Sequence, residues 1–325
     1  MAAEAAPAPA PGHRVLPWRI LLAILGAWAL LIAPIVIYFG PAFGGVTLVV
    51  GLIPAFGGHV LGQRRMAHLA AGALLAAMAT LALAPCALTI WGCTLVLIGC
   101  AAWEAWRPGG RAFVLALYGW SALVLAPTMP SPVDALPFVA MGLAWGALVT
   151  RIFQFTGKAA QPPLSGQTAT SLGVFLLVGI FVAAQITAWI DEKYGYWVVL
   201  LFILRALSPP HQSHQSALTY ALGAVLGSGC ALLLTWFHPA ASVTLPLTLM
   251  LVVLGLRYLP HPAPWSTAAF TSAVLLINSL GSDGILLRVE AVLLAVTIAM
   301  GLVSAISLGW RLVGRINPGL APPGR

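Results

Sequence analysis

Residues 17–39 read PWRILLAILGAWALLIAPIVIYF, with Arg19 as the one charged side chain. A membrane-spanning α-helix needs about 20 consecutive apolar residues, so this stretch predicts a helix that crosses a lipid bilayer. A transmembrane β-strand would instead alternate apolar and polar residues over about ten positions. Because residues 17–39 are apolar on every side, we expect a helical membrane protein.

The composition extends this expectation to the whole chain. Of 325 residues, 61% are hydrophobic and 7% are charged, whereas globular domains are about 45–50% apolar and about 25% charged. The mean hydropathy is +0.99. A soluble fold could not bury so many apolar side chains, which excludes a soluble enzyme and a nucleic-acid-binding protein. The expected surrounding is the lipid bilayer, and the net charge of +8 is then typical of basic residues kept on the cytoplasmic side.

Eleven more apolar segments follow, separated by short breaks that contain turn-forming residues such as glycine and proline. The predicted spans lie at 17–39, 43–57, 66–85, 87–105, 112–129, 134–154, 170–190, 195–207, 216–237, 242–258, 264–281 and 284–309. With the N-terminus inside, thirteen of the 15 Lys and Arg residues fall on the inner side, and Lys193 and Arg288 fall outside. This asymmetry follows the positive-inside rule, so we predict an all-α polytopic membrane protein of about twelve spans with both termini cytoplasmic.

The twelve segments form two sets of six. Sliding the chain by 151 residues superimposes Gly44 on Gly195 and Gly72 on Gly223, with eight identities across residues 44–83. Six spans per set make the two sets parallel, related by an axis along the membrane normal. We therefore predict a disordered cytoplasmic leader at 1–16, a first repeat at 17–154, a cytoplasmic linker at 155–169, a second repeat at 170–310 and a cytoplasmic tail at 311–325.

The second segment of each set is shorter than a full span and ends at helix-breaking residues. Pro54 and Gly57-Gly58 end the first of these segments, and Ser208-Pro209-Pro210 end the other. About thirteen to fifteen residues rise roughly 20–23 Å as α-helix, which is less than the bilayer core of about 30 Å. Paired short, interrupted segments are typical of a transporter's substrate site. A loop that dips to the surface explains the same breaks, since proline ends helices.

A family resemblance rests on two stretches of the second set. Gly195–Leu200 reads GYWVVL, and Tyr220–Gly227 reads YALGAVLG after a break that contains proline. This arrangement resembles the fusaric acid resistance (FUSC-like) family, whose superfamily includes aromatic acid exporters and plant aluminium-activated malate channels. Ala224 stands where the family usually has threonine, and Thr219-Tyr220 stand in place of its usual arginine.

The resemblance implies a short, membrane-only branch of this superfamily in the bacterial inner (cytoplasmic) membrane. Its typical cargo is an organic anion such as an aromatic carboxylate, or an amphipathic toxicant, and its members commonly work with a periplasmic membrane-fusion (adaptor) protein. A homo-oligomer would suit subunits built from two repeats.

Glu290 is the candidate for proton coupling. It lies about one and a half turns into the last predicted span, near Arg288 and Asp283. Because a charged residue inside a span is costly and is expected to face the bundle or a cavity, Glu290 is a candidate to carry a proton across the membrane. The alternative is a structural ion pair with Arg288 or a side chain that extends to the outer surface.

Basic and aromatic side chains are the candidates for substrate binding. Arg205, Arg64 and Arg65, together with Arg257, lie at predicted inner helix ends, where they would attract anions. Ordinary positive-inside anchoring explains them equally well. The remaining substrate-contact candidates are the aromatic rings of Tyr196 and Trp197 and the breaker Pro54.

We expect no metal, no cofactor and no catalytic residues. His211-x-x-His214 has no Cys or acid beside it to complete a metal site, and no nucleotide-binding or hydrolase motif is present. The pair Gly223 and Gly227, four residues apart, predicts close helix packing. The sequence thus favours a proton-coupled efflux transporter for organic anions over two alternatives, a passive anion channel and a non-transporting membrane scaffold for an envelope adaptor complex.

Overall fold

The chain folds as a helical bundle. The structure is a computed structural model that describes residues 18–60, 63–107, 111–125, 131–153, 166–190, 196–206, 213–237, 241–258, 264–279 and 285–316. Within these ranges it consists of twelve α-helices and one π-helix and contains no β-strand.

The elements are α1 (Trp18–Phe39), α2 (Pro41–Leu52), the π-helix (Ile53–Val60), α3 (Arg64–Leu83), α4 (Ala87–Ala105), α5 (Ala112–Leu125), α6 (Pro132–Phe153), α7 (Gly166–Ile190), α8 (Tyr196–Arg205), α9 (Ser213–Trp236), α10 (Ala241–Tyr258), α11 (Pro264–Ser279) and α12 (Ile285–Ile316). Each predicted apolar segment overlaps one α-helix of the described ranges, so the all-helical class is confirmed.

Seven stretches of these helices are long and apolar enough to cross a membrane, judged by length and composition. They belong to α1, α3, α4, α6, α7, α9 and α12, and shorter apolar stretches occur in α2, α5 and α10. Large apolar side chains cover the outside of the bundle: Leu30 is 74% exposed and Leu83 is 88% exposed. Exposed apolar surface of this extent is unfavourable in water, and contact with lipid accounts for it.

The second helix differs from the predicted short segment. Its α-helical part ends at Leu52, but the chain continues without a break as a π-helix from Ile53 to Val60. Pro54 lies inside this π-helix and has no backbone N–H, so it cannot donate the α-helical hydrogen bond to Val50. A wider turn accommodates the missing bond, and the helix ends only after the Gly57-Gly58 pair. The helix therefore runs past Pro54 and ends at Val60, three residues beyond the predicted limit at 57.

Corresponding helices in the two sets of six have corresponding neighbours. In both α1–α6 and α7–α12, the first helix packs against the second and the sixth, and the sixth also packs against the second and the third. The fifth packs against the third and the fourth in both sets. Between the sets, the fourth helix of each set packs against the first helix of the other set: α4 contacts α7, and α10 contacts α1.

The centre of the bundle is the contact between α5 and α8, which come from different sets of six. Residues 112–117 and 119–122 of α5 are buried, as are Val198–Leu200 of α8. Trp120 of α5 is 1% exposed, and its indole Nε1 donates a hydrogen bond to Thr94 Oγ1 of α4 at 2.9 Å. Both short helices are thus surrounded by protein rather than by lipid.

Glycines bring α9 and α11 into close contact, as their spacing predicts. A Cβ added at Gly223 would lie 2.6 Å from the Pro264 carbonyl oxygen, and one at Gly227 would lie 2.5 Å from the Ala268 oxygen. Ser272 Oγ donates hydrogen bonds to the carbonyl oxygens of Gly227 and Ala268, each at 2.9 Å. Small residues and hydroxyl bonds of this kind hold helices together in lipid, where hydrophobic burial offers little.

Substitution of Gly227 by leucine should therefore separate α9 from α11. Overpacking of a close contact typically costs about 1–3 kcal/mol, so we expect the Gly227→Leu protein to unfold at a lower temperature in detergent. Gly229→Leu is the matched control, because a Cβ at Gly229 meets nothing within 4 Å. Equal melting temperatures for the two variants would contradict the packing described for Gly227.

Candidate functional site

The carboxylate of Glu104 caps the N-terminus of the central helix α5. Glu104 lies one residue before the end of α4 and is 0% exposed. Its Oε1 accepts a hydrogen bond from the Ala112 backbone N–H at 3.0 Å, and its Oε2 accepts one from the Phe113 N–H at 2.8 Å. The first N–H groups of a helix have no partner within the helix, and the helix dipole favours a negative charge there. One side chain thus satisfies two buried donors.

Arg111 links this capped end to the other set of six helices. Its side chain is 4% exposed, and its NH1 group donates a hydrogen bond to the Ala206 carbonyl oxygen, which directly follows α8, at 3.1 Å. The charge of Arg111 also acts on the Glu104 carboxylate. A cation is favourable at a helix C-terminus, where carbonyl groups lack partners. Glu104 and Arg111 together join the ends of α4, α5 and α8.

The π-helix also packs against this cluster, at the start of α5. A Cβ added at Gly57 would lie 3.0 Å from the Ala112 Cβ atom, so the π-helix approaches the start of α5 closely. Gly57 and Gly58 also face Ala67 of α3. We call Glu104, Arg111, Ala206 and Gly57 the inner cluster, since positive-inside orientation would bring these helix ends to the cytoplasmic side.

Glu104 and Arg111 were not among the site residues predicted from the sequence. Glu104 ends an apolar segment and resembles an ordinary interfacial charge, and Arg111 resembles one of many inner basic residues. The available signal was the short WRPGGR connection at 106–111. Such a short loop keeps an acid at the end of one helix within reach of the next helix's first N–H groups.

The aromatic candidates lie at the start of α8. The rings of Tyr196 and Trp197 have centroids 5.4 Å apart, and both side chains are half-buried. One turn further along, Phe202 stacks on Phe175 of α7 with centroids 4.7 Å apart, in space left by Gly179. The start of α8 therefore presents partly accessible rings, while its middle is packed.

The basic candidates occupy separate helix ends. Arg64 and Arg65 are the first two residues of α3 and are exposed. The guanidinium of Arg257, near the end of α10, lies 4.0 Å from the centroid of the Trp18 ring at the start of α1. Arg205 is the last residue of α8, and its side chain lies outside the described part of the structure. Pro54 is buried against α6, with its Cγ 2.9 Å from a Cβ added at Gly146.

The proton-coupling candidates lie near the start of α12. Glu290 is on its second turn and is exposed. Arg288 is on the same helix, but its side chain lies outside the described part, as does all of Asp283. Across the described ranges, no three His, Cys, Asp or Glu side chains gather as a metal site would require. His211 is outside these ranges.

The described residues are helical throughout, apart from short turns, and include seven helices long and apolar enough to span a membrane, so the chain is a multi-pass membrane protein in contact with the lipid bilayer. Residues 178–302, from α7 to α12, match the model of the family described as fusaric acid resistance protein-like. This match confirms the resemblance carried by Gly195–Leu200 and Tyr220–Gly227, both of which lie within the matched residues. The family suggests membrane transport or efflux rather than catalysis. No curated protein and no solved structure matched the chain.

Removal of the Glu104 carboxylate should destabilise the bundle strongly. Glu104→Ala leaves the Ala112 and Phe113 N–H groups without their acceptor and removes the carboxylate whose charge acts with that of Arg111, and loss of one member of a buried charged network costs about 3–5 kcal/mol. We expect a large drop in melting temperature, and a smaller drop for Glu104→Gln, which keeps one acceptor oxygen. Arg107→Ala is the control, because Arg107 is an exposed cation over the Trp103 ring in the same region. A Glu104→Ala protein as stable as the Arg107→Ala protein would contradict the capping role.

Proposed function

We propose that this protein is a secondary transporter of the bacterial inner (cytoplasmic) membrane that exports organic anions, such as aromatic carboxylates or amphipathic toxicants, in exchange for protons. The observation that carries the proposal is the family match over residues 178–302. The bundle is compatible with it, because two sets of six helices meet at a central contact between α5 and α8. Transport by alternating access moves such sets relative to each other around a fixed site.

The two sets are proposed to be parallel repeats, with both termini in the cytoplasm. The corresponding neighbours of α1–α6 and α7–α12 support a duplicated unit, as do the reciprocal α4–α7 and α1–α10 contacts. The domain limits predicted at 17–154 and 170–310 follow from this duplication. Residues 155–169 would connect the repeats on the cytoplasmic side.

In this proposal the inner cluster closes the cytoplasmic end of the pathway. Arg111 of the first repeat bonds to the chain immediately after α8 of the second repeat, so movement of one repeat away from the other must break this bond. The exposed Arg64 and Arg65 would attract anions to the same side, with Arg205 as a further cation. The half-buried Tyr196 and Trp197 would contact the aromatic ring, beside the pathway that includes Pro54.

Proton coupling is assigned to Glu290, with Arg288 and Asp283 nearby in the sequence. An acid within a membrane span is a functional residue by default, and the exposed position of Glu290 on α12 would let it exchange protons with the outer side. A periplasmic membrane-fusion (adaptor) protein and a second copy of this chain are the proposed partners, and no cofactor is required.

Efflux from preloaded cells tests this function. Cells with and without the protein are loaded with labelled hydroxybenzoate, and efflux is followed with and without an uncoupler. Protein-dependent efflux that collapses with the uncoupler supports the exporter. Efflux indifferent to the uncoupler would indicate a passive anion channel, and no protein-dependent efflux of several anions would favour a membrane scaffold.

The coupling role makes a prediction in the same assay. Glu290→Gln removes the titratable proton but keeps size and polarity, so it should abolish uphill export while leaving melting temperature and expression unchanged. Asp134→Asn is the control, because Asp134 is an exposed acid at the start of α6 whose carboxylate bonds to Ser131 Oγ. Normal uphill export by the Glu290→Gln protein would exclude Glu290 as the coupling residue.

The proposed orientation predicts where one thiol reacts. Cys86 lies in the turn between α3 and α4, is exposed, and would face the outside. A membrane-impermeant maleimide should label it in intact cells with a permeabilised outer membrane, and Cys86→Ser should remove this label. Reaction only after the inner membrane is opened would indicate the reverse orientation.

A further inference from the structure

The contact between α1 and α10 is looser than its counterpart between α7 and α4. In the α7–α4 contact, a Cβ added at Gly173 would lie 3.0 Å from the Ala102 Cβ atom, so these two helices approach closely. The 151-residue offset places Leu22 of α1 at the position of Gly173. Leu22 is 60% exposed, so it is not enclosed between helices, and its bulk prevents an equally close approach.

Arg257 and Trp18 meet where the end of α10 contacts the start of α1. The Arg257 guanidinium lies 4.0 Å from the centroid of the Trp18 ring. The Nε atom of Arg257 is buried and has no hydrogen-bond partner among the residues that the structure describes. Trp18 is 45% exposed, and the adjacent Arg19 is exposed as well. Because a buried donor without an acceptor is unfavourable, this pair is suited to an anion from outside the chain.

The helices around this pair offer Arg257 no carboxylate. Within the described ranges, α1, α2, α10 and α11 contain no Asp or Glu. The remaining neighbour of α1 is α6, with Asp134 in its first turn. Phe138, one turn after Asp134, contacts Phe39 at the end of α1 with ring centroids 5.0 Å apart. Asp134 therefore lies near the opposite end of α1, about 30 Å from Trp18.

The pair lies at the level of the lipid headgroups. The 22 residues of α1 rise about 32 Å, which matches the bilayer core of about 30 Å. Trp18 therefore lies at one edge of the core, where tryptophan is favoured. Leu22, Gly26 and Ala29 follow Trp18 at helical spacing and are exposed, and Gly26 and Ala29 line the nearer end of an open groove of about 510 Å³. Cationic and apolar surfaces thus adjoin as the two parts of a phospholipid do.

We propose that Arg257, Arg19 and Trp18 bind the headgroup of an anionic phospholipid, whose acyl chain lies along Leu22 and the groove on α1. A guanidinium stacked on an aromatic ring keeps N–H donors at its edge, and these donors fit phosphate oxygens. Basic pockets between membrane-spanning helices bind such headgroups. The bound lipid fills the loose contact between α1 and α10 and so joins the two sets of helices.

The chain provides one such site. The 151-residue offset superimposes Trp18 on Ala169 and Arg257 on Trp106. The α7–α4 contact therefore has neither the ring nor the cation at the corresponding positions, and Gly173 closes it with side-chain packing instead. We expect one tightly bound anionic lipid per chain.

The test measures the melting temperature of the full-length protein in detergent during titration with phosphatidylglycerol. Binding to the folded state should raise the melting temperature in a saturable way, whereas phosphatidylcholine with the same acyl chains and no net charge should have little effect. Arg257→Gln should raise the phosphatidylglycerol concentration for half of the shift about tenfold or more, the loss expected for a hydrogen bond to a charged group.

Arg107→Gln is the matched control. The Arg107 guanidinium also lies over a tryptophan ring, 4.3 Å from the centroid of Trp103, but Arg107 is exposed and belongs to the same helix end as its partner. This variant should respond to phosphatidylglycerol as the wild type does.

Three results would overturn the proposal. These are equal shifts of the wild type with phosphatidylglycerol and phosphatidylcholine, an unchanged response of the Arg257→Gln protein, and an equal shift with inorganic phosphate, which would indicate a site for free anions. If Arg257→Gln folds poorly, Arg257→Lys keeps the charge without the planar donors and should also weaken the response. The experiment measures no transport, so its failure leaves the proposed export function untouched.

Discussion

A backbone N–H group buried in a protein surrounded by lipid needs a hydrogen-bond acceptor within the chain, because little water is available there to accept the bond instead. The start of α5 meets this constraint most severely, since Ala112 and Phe113 are buried among helices of both sets. The Glu104 carboxylate accepts from both N–H groups, and the adjacent Arg111 extends the network to the end of α8. This small polar cluster therefore joins the two sets beside the contact between α5 and α8.

The positions of the helices could be predicted because membrane insertion depends on the mean hydropathy of a whole segment rather than on single residues. An uninterrupted apolar run cannot be a loop in lipid, so each predicted segment overlaps a helix of the described ranges. Hydropathy does not determine the helix type where one backbone group decides it. Pro54 removes a single hydrogen bond, and the sequence alone does not determine whether the helix then stops or widens. Here it widens into a π-helix that continues to Val60.

The candidate site was harder to predict because its members are distant in sequence and each is individually ordinary. Tyr196 and Trp197 could be named from the family resemblance, since they belong to a contiguous motif. Glu104 and Arg111 could not, because their importance lies in burial and partners that appear only when α4, α5 and α8 pack together.

The hydrogen bonds described for Glu104 and Arg111 end on main-chain atoms of Ala112, Phe113 and Ala206. Every amino acid except proline supplies the same N–H group, and every amino acid supplies the same carbonyl, so evolution can change the partner residues without losing these bonds. Pairwise covariation between positions 111 and 206 would consequently be weak even though the two touch. Comparison of related sequences would underestimate this contact, and a structure is needed to recognise that the two halves of the protein are joined there.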